Sequence, residues 1–280
     1  MPAKRKSTTD SNSFSQGIVP VGDVPGCTAT LIYGKSGTGK TALASTWPKP
    51  MLVLDVQEHG TETIANIDGI DVRQVMDWET FEQGYWYLRN AETKYKSVVI
   101  DQISQLQSLG MAKIRADNSM EPSDTFSKRD WGQLSGIMQT WMLNYRDLWD
   151  RYHVCFIAHE RSTAGDDEKE DQIDPSIGPK VMPSLASFIN GAVSIIGNTF
   201  IRESYIETTV ETGGKSKTKK TRQVEYRLRV GPHGLYTTKV RKPFESDLVI
   251  PESIVNPTFE KLQLIARGEE VTKRVVKKKE

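Results

Sequence analysis

The sequence predicts an α/β protein whose central sheet is mostly parallel and is flanked by helices. Between residues 27 and 160, short β-rich runs alternate with helical stretches, which is typical of parallel strands joined by helical crossovers. A glycine-rich segment at residues 34–41 lies between the first strand and the first helix. After residue 190, three strand-like runs follow without a helix between them. They indicate antiparallel strands added to the sheet in the C-terminal half.

The individual elements are predicted from β-rich runs and from apolar residues at helical spacing. The predicted strands of the parallel part are residues 28–33, 51–55, 72–75, 97–101 and 154–159. The predicted helices between them are residues 41–46, 78–92, 103–115 and 131–151. A short helix at 181–190 precedes the predicted antiparallel strands 192–203, 223–230 and 235–241.

One core with two tails is expected, because 280 residues can bury one sizeable α/β core. Residues 1–25 are polar and are predicted to be a flexible tail, residues 26–268 the core, and residues 269–280 a basic tail. Cys27 and Cys155 lack C-x-x-C spacing, which argues against a zinc site. No apolar run approaches the ~20 residues that cross a bilayer, so we expect a cytoplasmic protein without membrane contact.

Charge is balanced overall but unevenly distributed along the chain. The 37 basic and 36 acidic residues leave a net charge of +1, which does not by itself indicate a nucleic-acid-binding protein. Residues 161–178 are acidic, whereas residues 211–222 are basic and are predicted to form an exposed hairpin tip. The basic residues of this segment are Lys215, Lys217, Lys219, Lys220 and Arg222.

Residues 34–41 match the phosphate-binding loop G-x-x-x-x-G-K-[ST] in full. Its glycines let the backbone turn tightly, so that successive N–H groups point at phosphate oxygens. Lys40 is expected to reach the β- and γ-phosphates, and the Thr41 hydroxyl to bind Mg²⁺. A glycine-rich turn without a ligand is the alternative, but the flanking strand and helix favour binding of a nucleoside triphosphate. The loop residues are Gly34, Lys35, Ser36, Gly37, Thr38, Gly39, Lys40 and Thr41.

A second Mg²⁺ ligand is predicted at Asp101, which ends the apolar strand 97–101. A carboxylate in this position could hold a Mg²⁺-bound water beside Thr41. A strand that ends in Asp is common by itself. Its combination with the phosphate loop favours the metal role.

A carboxylate that aligns the attacking water is expected after the second strand. Asp55 and Glu58 follow this strand, at the edge where parallel α/β sheets bind ligands. Glu58 is the candidate and Asp55 its rival, and the alternative is that both cap the next helix. His59 is expected to be a turn residue.

His159 follows the apolar part of strand 154–159 and is predicted to sense the γ-phosphate. From this position it could report the phosphate to the segment that follows the strand. The alternative is a purely structural histidine.

Together these residues resemble the RecA-like recombination ATPases, most closely the small phage-encoded branch that includes single-strand annealing proteins. Residues 31–45, 51–60, 97–101 and 154–161 match in order and approximate spacing. Asp130-Trp131-Gly132 and residues 236–244 also match, so the resemblance covers roughly residues 26–265. Many families share the loop, but the ordered set is more specific.

The resemblance implies a RecA-type core that binds ATP between the subunits of a ring or filament and handles single-stranded DNA. It also implies location in the host cytoplasm if the protein is phage-encoded, and a single-strand-binding protein as a partner. In this family, basic residues near a late strand reach the neighbouring subunit's γ-phosphate. Lys239 and Arg241 occupy the matching stretch.

The sequence departs from this family in two places. The family often has Asp-x-Glu after the second strand, whereas here Glu58 is one residue further from Asp55, which leaves the water-aligning residue open. The segment 161–178 is acidic where a DNA-contacting loop should be basic. DNA contact is therefore predicted for the basic residues at 215–222 and 277–279, with solvated surface as the alternative.

The expected function is that of an ATP-binding, slowly hydrolysing recombination protein that binds single-stranded DNA and promotes annealing or strand exchange. The alternative is a nucleotide-gated oligomeric module that recruits replication partners with little turnover. A motor or helicase loader should carry elements beyond the core, and the sequence shows none.

Overall fold

The structure is a computed structural model that describes residues 18, 20, 27–163, 176–212 and 215–271, and only the backbone within 206–221. Most of the predicted N-terminal tail at 1–25 lies outside the described residues. The middle of the acidic segment, residues 164–175, and the end of the chain at 272–280 do so as well.

A single sheet organises the chain, with the strand order β3-β2-β4-β5-β1-β7-β8-β10. The six strands from β3 to β7 are parallel to their neighbours, while β8 and β10 are antiparallel. β6 pairs with β5 and β9 with β7, both antiparallel. The strands are β1 Ala29–Gly34, β2 Met51–Val56, β3 Ile70–Val75, β4 Ser97–Asp101, β5 His153–Thr163, β6 Ser176–Pro179, β7 Ile195–Thr212, β8 Lys215–Arg229, β9 Lys239–Val240 and β10 Ser253–Val255.

This arrangement confirms the predicted fold class, an α/β core with a mostly parallel central sheet flanked by helices and with antiparallel strands added in the C-terminal half. The helices cover both faces of the sheet. They are α1 Lys40–Ala44, α2 Trp78–Asn90, α3 Ile103–Asp117, α4 Lys128–Arg146, α5 Pro183–Ala192 and α6 Phe259–Ala266. Among the described residues, none of the helices combines the length and the hydropathy needed to cross a membrane.

Two predictions about the C-terminal half were wrong in detail. β7 is parallel to β1 rather than antiparallel, because α5 carries the chain back across the sheet before β7 begins. The segment 211–222 lies at the far end of a hairpin, as predicted, and its strands β7 and β8 pair in register from Asn198 opposite Arg229 out to Thr212 opposite Lys215. The predicted strand 235–241 shrinks to Lys239–Val240.

The core is divided by the sheet into two apolar layers. Leu31 and Tyr33 of β1 belong to the layer covered by α2 to α5, whereas Ile32 belongs to the other layer. In that second layer, α6 packs near the end of α1, and the ring centroids of Trp47 and Phe259 are 5.1 Å apart. The Phe259 N–H also donates to Thr46 Oγ1 at 2.8 Å. The last helix therefore supports the helix that follows the phosphate loop.

Candidate functional site

The phosphate loop leaves β1 at its carboxyl end, and its glycines are required by geometry. Gly37 and Gly39 have φ of +78° and +84°, in the left-handed region that favours glycine. A Cβ atom at Gly34 would lie 2.2 Å from Thr199 Oγ1 on β7. The Thr199 hydroxyl also contacts Thr38 Oγ1 at 2.7 Å. β7 therefore packs directly against the loop.

The Lys40 side chain turns back toward the start of the phosphate loop. Its Nζ donates to the carbonyl oxygens of Gly34 at 3.1 Å and Lys35 at 2.9 Å. Burial lowers the pKa of Lys40, while Asp101 and, more weakly, Glu58 raise it. The loop thus holds the buried Lys40 amine against the loop's carbonyl oxygens. From this position the amine can reach the oxygens of a bound phosphate.

Asp101 and Thr41 are adjacent, as the sequence predicts. The Thr41 hydroxyl donates to Asp101 Oδ2 at 2.7 Å, and Asp101 is 5% exposed. Burial raises the pKa of Asp101 to about 6, and the hydrogen bond from Thr41 acts in the opposite direction. A hydroxyl and a carboxylate are oxygen donors of the kind that Mg²⁺ prefers. The pair therefore fits a Mg²⁺ site.

Hydrogen bonding distinguishes Asp55 from Glu58. Asp55 is 1% exposed, and its Oδ1 accepts from the backbone N–H groups of Glu58 and His59, both at 3.1 Å. Its Oδ2 accepts from Gln74 Nε2 at 2.8 Å. Asp55 thus fixes the turn that follows β2, in which His59 has a φ of +53°. This leaves Glu58 as the carboxylate that faces the cleft.

Glu58, Gln102 and His159 form a cluster at the carboxyl edge of the parallel sheet, where Glu58 follows β2, Gln102 follows β4 and His159 is the last residue of β5 that pairs with β1. Gln102 Nε2 lies 2.5 Å from Glu58 Oε2 and 2.7 Å from His159 Nε2. His159 pairs with Gly34 in the β1–β5 register, and its backbone N–H donates to Ser104 Oγ at 3.1 Å. The two predicted residues are therefore brought together by a third residue, Gln102, that the sequence analysis did not identify.

A cleft of about 570 Å³ extends from the phosphate loop past Glu58 and Asp101. Its far wall consists of Tyr226 and Arg227 on β8 and of residues 256–258 before α6. Tyr226 is 46% exposed, and its ring approaches the loop so closely that a Cβ at Gly39 would lie 3.2 Å from it. No sequence motif marks these residues, because only the pairing of β8 with β7 and β10 brings them to the loop.

Lys239 and Arg241 lie away from the chain's own phosphate loop. β9 pairs with Ile195 and Ile196, at the start of β7, whereas Thr199 further along β7 faces the loop. Lys239 Nζ donates to Asn190 O at 2.5 Å, and Arg241 Nη2 donates to Gly191 O at 2.7 Å. Within one chain, both side chains therefore bind the carboxyl end of α5.

Comparison with known proteins agrees with this geometry. The sequence model of one family, described as an AAA domain, matches residues 28–238. The chain belongs to this family. The match supports an ATPase-type nucleotide hydrolase, and it includes the phosphate loop, Glu58, Asp101 and His159, but it ends before residues 256–258.

One solved structure similar to this AAA domain is the crystal structure of the flagellar accessory protein FlaH from Methanocaldococcus jannaschii. The two share 10% sequence identity over 81% of this chain and 84% of that chain, with a TM-score of 0.35. No curated protein matches the chain.

Proposed function

We propose that this AAA domain binds and slowly hydrolyses ATP, and that it acts as a recombination protein that binds single-stranded DNA and promotes annealing or strand exchange. The observation that carries the nucleotide part is the 2.7 Å contact between Thr41 and Asp101 beside a complete phosphate loop. These two residues would hold Mg²⁺, which when bound offsets negative charge on the phosphates.

In the proposed reaction, the oxygen of a water bonds to the γ-phosphorus while the bond from that phosphorus to the bridging oxygen breaks. Glu58 orients the water by accepting a hydrogen bond from it, and the proton ends on the released phosphate. Lys40 stabilises the charge on the phosphate oxygens, and His159 senses the γ-phosphate. Glu58 is favoured over Asp55 for this role, because both oxygens of Asp55 accept hydrogen bonds within the protein.

A nucleoside, rather than polyphosphate alone, is favoured by the far wall of the cleft. The half-exposed ring of Tyr226 lies against the loop at Gly39 and offers a flat apolar face. We propose that a base stacks on this ring, as aromatic side chains stack on planar groups elsewhere.

Lys40→Ala tests the nucleotide proposal. It is expected to raise the Kd for Mg²⁺·ATP about 100-fold, because charge-assisted hydrogen bonds contribute about 1.5–3 kcal/mol each. Lys96→Ala, at an exposed position before β4, serves as the control. Calorimetric titration measures the Kd for Mg²⁺·ATP and, in a separate titration, the Kd for tripolyphosphate. An unchanged Kd in folded Lys40→Ala protein would contradict the proposal.

The DNA part of the proposal rests on the β7–β8 hairpin. Among the described strands, β7 beyond Phe200 pairs with β8 alone, so the hairpin projects from the sheet as a two-stranded ribbon. β8 carries the basic residues at 215–222. Tyr205 is 66% exposed on the ribbon, and Arg222 forms an ion pair with Glu203. Basic residues beside an exposed aromatic ring suit a single-stranded nucleic acid, whose phosphates and bases they contact respectively.

Neutralising the ribbon tests the DNA proposal. Changing Lys215, Lys217, Lys219 and Lys220 to Gln should weaken binding of single strands for all sequences and flatten the salt dependence, because each lost phosphate contact lowers the slope by about 0.7. The control changes Lys94, Lys96, Lys128 and Arg129, exposed residues outside the ribbon. Equal affinity and slope in both variants would exclude the ribbon as the DNA site.

The alternative function is a nucleotide-gated oligomeric module that recruits replication partners, such as a single-strand-binding protein, with little turnover. The rate of ATP hydrolysis with and without single-stranded DNA distinguishes the two functions. DNA-stimulated turnover supports the recombination protein, whereas tight ATP binding with neither turnover nor DNA binding supports the module.

A further inference from the structure

The side chain of Gln102 lies between the two residues proposed to act on the γ-phosphate. It is 1% exposed and directly follows Asp101. Its amide nitrogen is within hydrogen-bond distance of both Glu58 Oε2 and His159 Nε2. Glu58 Oε1 and His159 Nε2 are themselves 3.6 Å apart, so the three side chains form one compact group.

The chemistry of these groups determines where the hydrogen atoms lie. A primary amide nitrogen carries two hydrogens, and an ionised carboxylate only accepts. His159 Nε2 can accept the second hydrogen only if it is unprotonated, which assigns the neutral imidazole with its hydrogen on Nδ1. The surroundings favour this form, because burial lowers the pKa of His159, Lys40 and Lys180 lower it further, and Glu58 opposes them.

The amide oxygen of Gln102 adds a second observation. This atom is buried and has no hydrogen-bond partner among the described residues. Buried acceptors in proteins are usually satisfied by protein or water donors. The two amide hydrogens of Gln102 are thus donated to Glu58 and His159. The amide oxygen beside them accepts no hydrogen bond from the described residues.

We propose that Gln102 is a positioning residue for ATP hydrolysis. One amide hydrogen fixes the Glu58 carboxylate that aligns the water, and the other holds the His159 imidazole that senses the γ-phosphate. A displacement of His159 by the phosphate is then transmitted to Glu58 through one rigid amide. This inference rests on the proposed hydrolysis and names a residue that this hydrolysis requires.

Gln102→Met tests the role, because Met has a similar length and lacks both donors. We expect kcat for ATP to fall at least about 10-fold while the Kd for Mg²⁺·ATP changes less than about threefold, since the amide acts on the water rather than on binding. In a background that combines Glu58→Gln with His159→Asn, Gln102→Met should cause no further loss, because Gln102 acts through these two residues. The control is Gln107→Met on α3, the helix that follows Gln102; it removes the acceptor for the Met182 N–H and leaves the amide of Gln102 in place.

A second readout is independent of turnover. NMR titration of the ligand-free, metal-free protein follows the imidazole of His159, identified by its loss in His159→Asn. Gln102→Met should raise its pKa by at least about half a unit, because the neutral imidazole loses its donor and Glu58 then pairs with the imidazolium. Gln107→Met should leave it unchanged. If Gln102→Met does not fold, Gln102→Asn replaces it, since its shorter amide cannot reach both partners.

The outcomes separate this inference from the proposed function. Turnover in the wild type with unchanged kcat in Gln102→Met, or an unchanged His159 titration, overturns the role of Gln102 alone. A wild-type protein that binds ATP but never hydrolyses it overturns the proposed hydrolysis together with this role.

Discussion

Asp101 is kept in the core of the sheet at a cost to the ligand-free protein. It ends β4 next to Asp55 of β2 and is almost fully buried. Burial, together with the charges of Glu58 and Asp55, raises its pKa to about 6. At neutral pH the site therefore holds an ionised carboxylate whose charge is less favourable there than in the unfolded chain, in the position where a cation would compensate it.

Asp101→Asn should consequently stabilise the protein when metal and nucleotide are removed with EDTA. A carboxyl with a raised folded-state pKa contributes stability below its unfolded pKa of about 4, and this contribution is lost as the pH rises through about 6. The variant should exceed the wild type in free energy of unfolding by about 1–3 kcal/mol at pH 8 and match it below pH 4. Urea unfolding across this range measures the difference.

The same variant should bind Mg²⁺·ATP more weakly, since it lacks the anionic ligand. Asp68→Asn, at an exposed position, controls for the loss of a charge. If Asp101→Asn were less stable than the wild type at pH 8, the carboxylate would have to be stabilised by groups other than a bound cation.

At the scale of elements, close packing of α3 against its neighbours depends on Gly110. A Cβ atom at this position would lie 2.7 Å from Leu134 Cδ1 on α4 and 3.2 Å from the Trp78 ring on α2. Leu134 is fully buried, so its methyl group has little room to move. By contrast, a Cβ at Gly132 or Gly136 on α4 would meet no described atom within 4 Å.

Alanine substitutions at these glycines should therefore have opposite effects. Gly110→Ala should lower the free energy of unfolding by about 1–2 kcal/mol, because overpacking outweighs the better helix propensity of Ala. Gly132→Ala and Gly136→Ala, both exposed, should each raise it by about 0.5–1 kcal/mol. Denaturant unfolding of the three variants checks the signs, and stabilisation by Gly110→Ala would mean that the three helices are not packed this closely.

Much of the parallel half of the sheet was predictable because three of its strands, β1, β2 and β4, are buried along their whole length. All six residues of β1 and all six of β2 are buried, so each strand appears in the sequence as an apolar run. The outer ribbon lacks this signal, since its paired residues continue out to Thr212 in a largely polar sequence. β10 has only three residues, too few for a periodic pattern.

Some residues of the candidate site could likewise be predicted from contiguous sequence, whereas others depend on long-range packing. The phosphate loop and Asp101 are encoded in contiguous residues, so motif and strand end were sufficient to predict that they meet. Tyr226 and the bridge at Gln102 depend on strand register and on packing between distant segments, which no single stretch of sequence records. The preference for Glu58 over Asp55 likewise depends on hydrogen-bond partners that the sequence does not reveal.

At the scale of the whole molecule, the phosphate loop follows the carboxyl end of β1, whereas the pair Lys239 and Arg241 lies toward the amino end of β1, beside the first residues of β7. If these basic side chains complete a nucleotide site, it is that of another subunit, with the amino edge of one sheet facing the carboxyl edge of the next. Such a head-to-tail contact is heterologous and produces rings or filaments rather than closed two-fold dimers.

Mixing inactive variants tests this shared site. Arg241→Ala keeps its phosphate loop and Lys40→Ala keeps its arginine, so mixed assemblies should regain up to about a quarter of the wild-type ATP turnover. Each variant alone should stay near background. Absence of rescue between variants that demonstrably co-assemble would indicate that Arg241 serves only the carboxyl end of α5.

The packing of α6 near the phosphate-loop helix has a consequence for biosynthesis. The loop is translated early, but Phe259 and residues 256–258, which support and close the cleft, are translated roughly 200 residues later. A ribosome-bound chain that already displays the whole G-x-x-x-x-G-K-[ST] motif therefore still has an open cleft. If the cleft binds nucleotide as proposed, firm retention of the ligand would begin only after α6 has emerged from the exit tunnel.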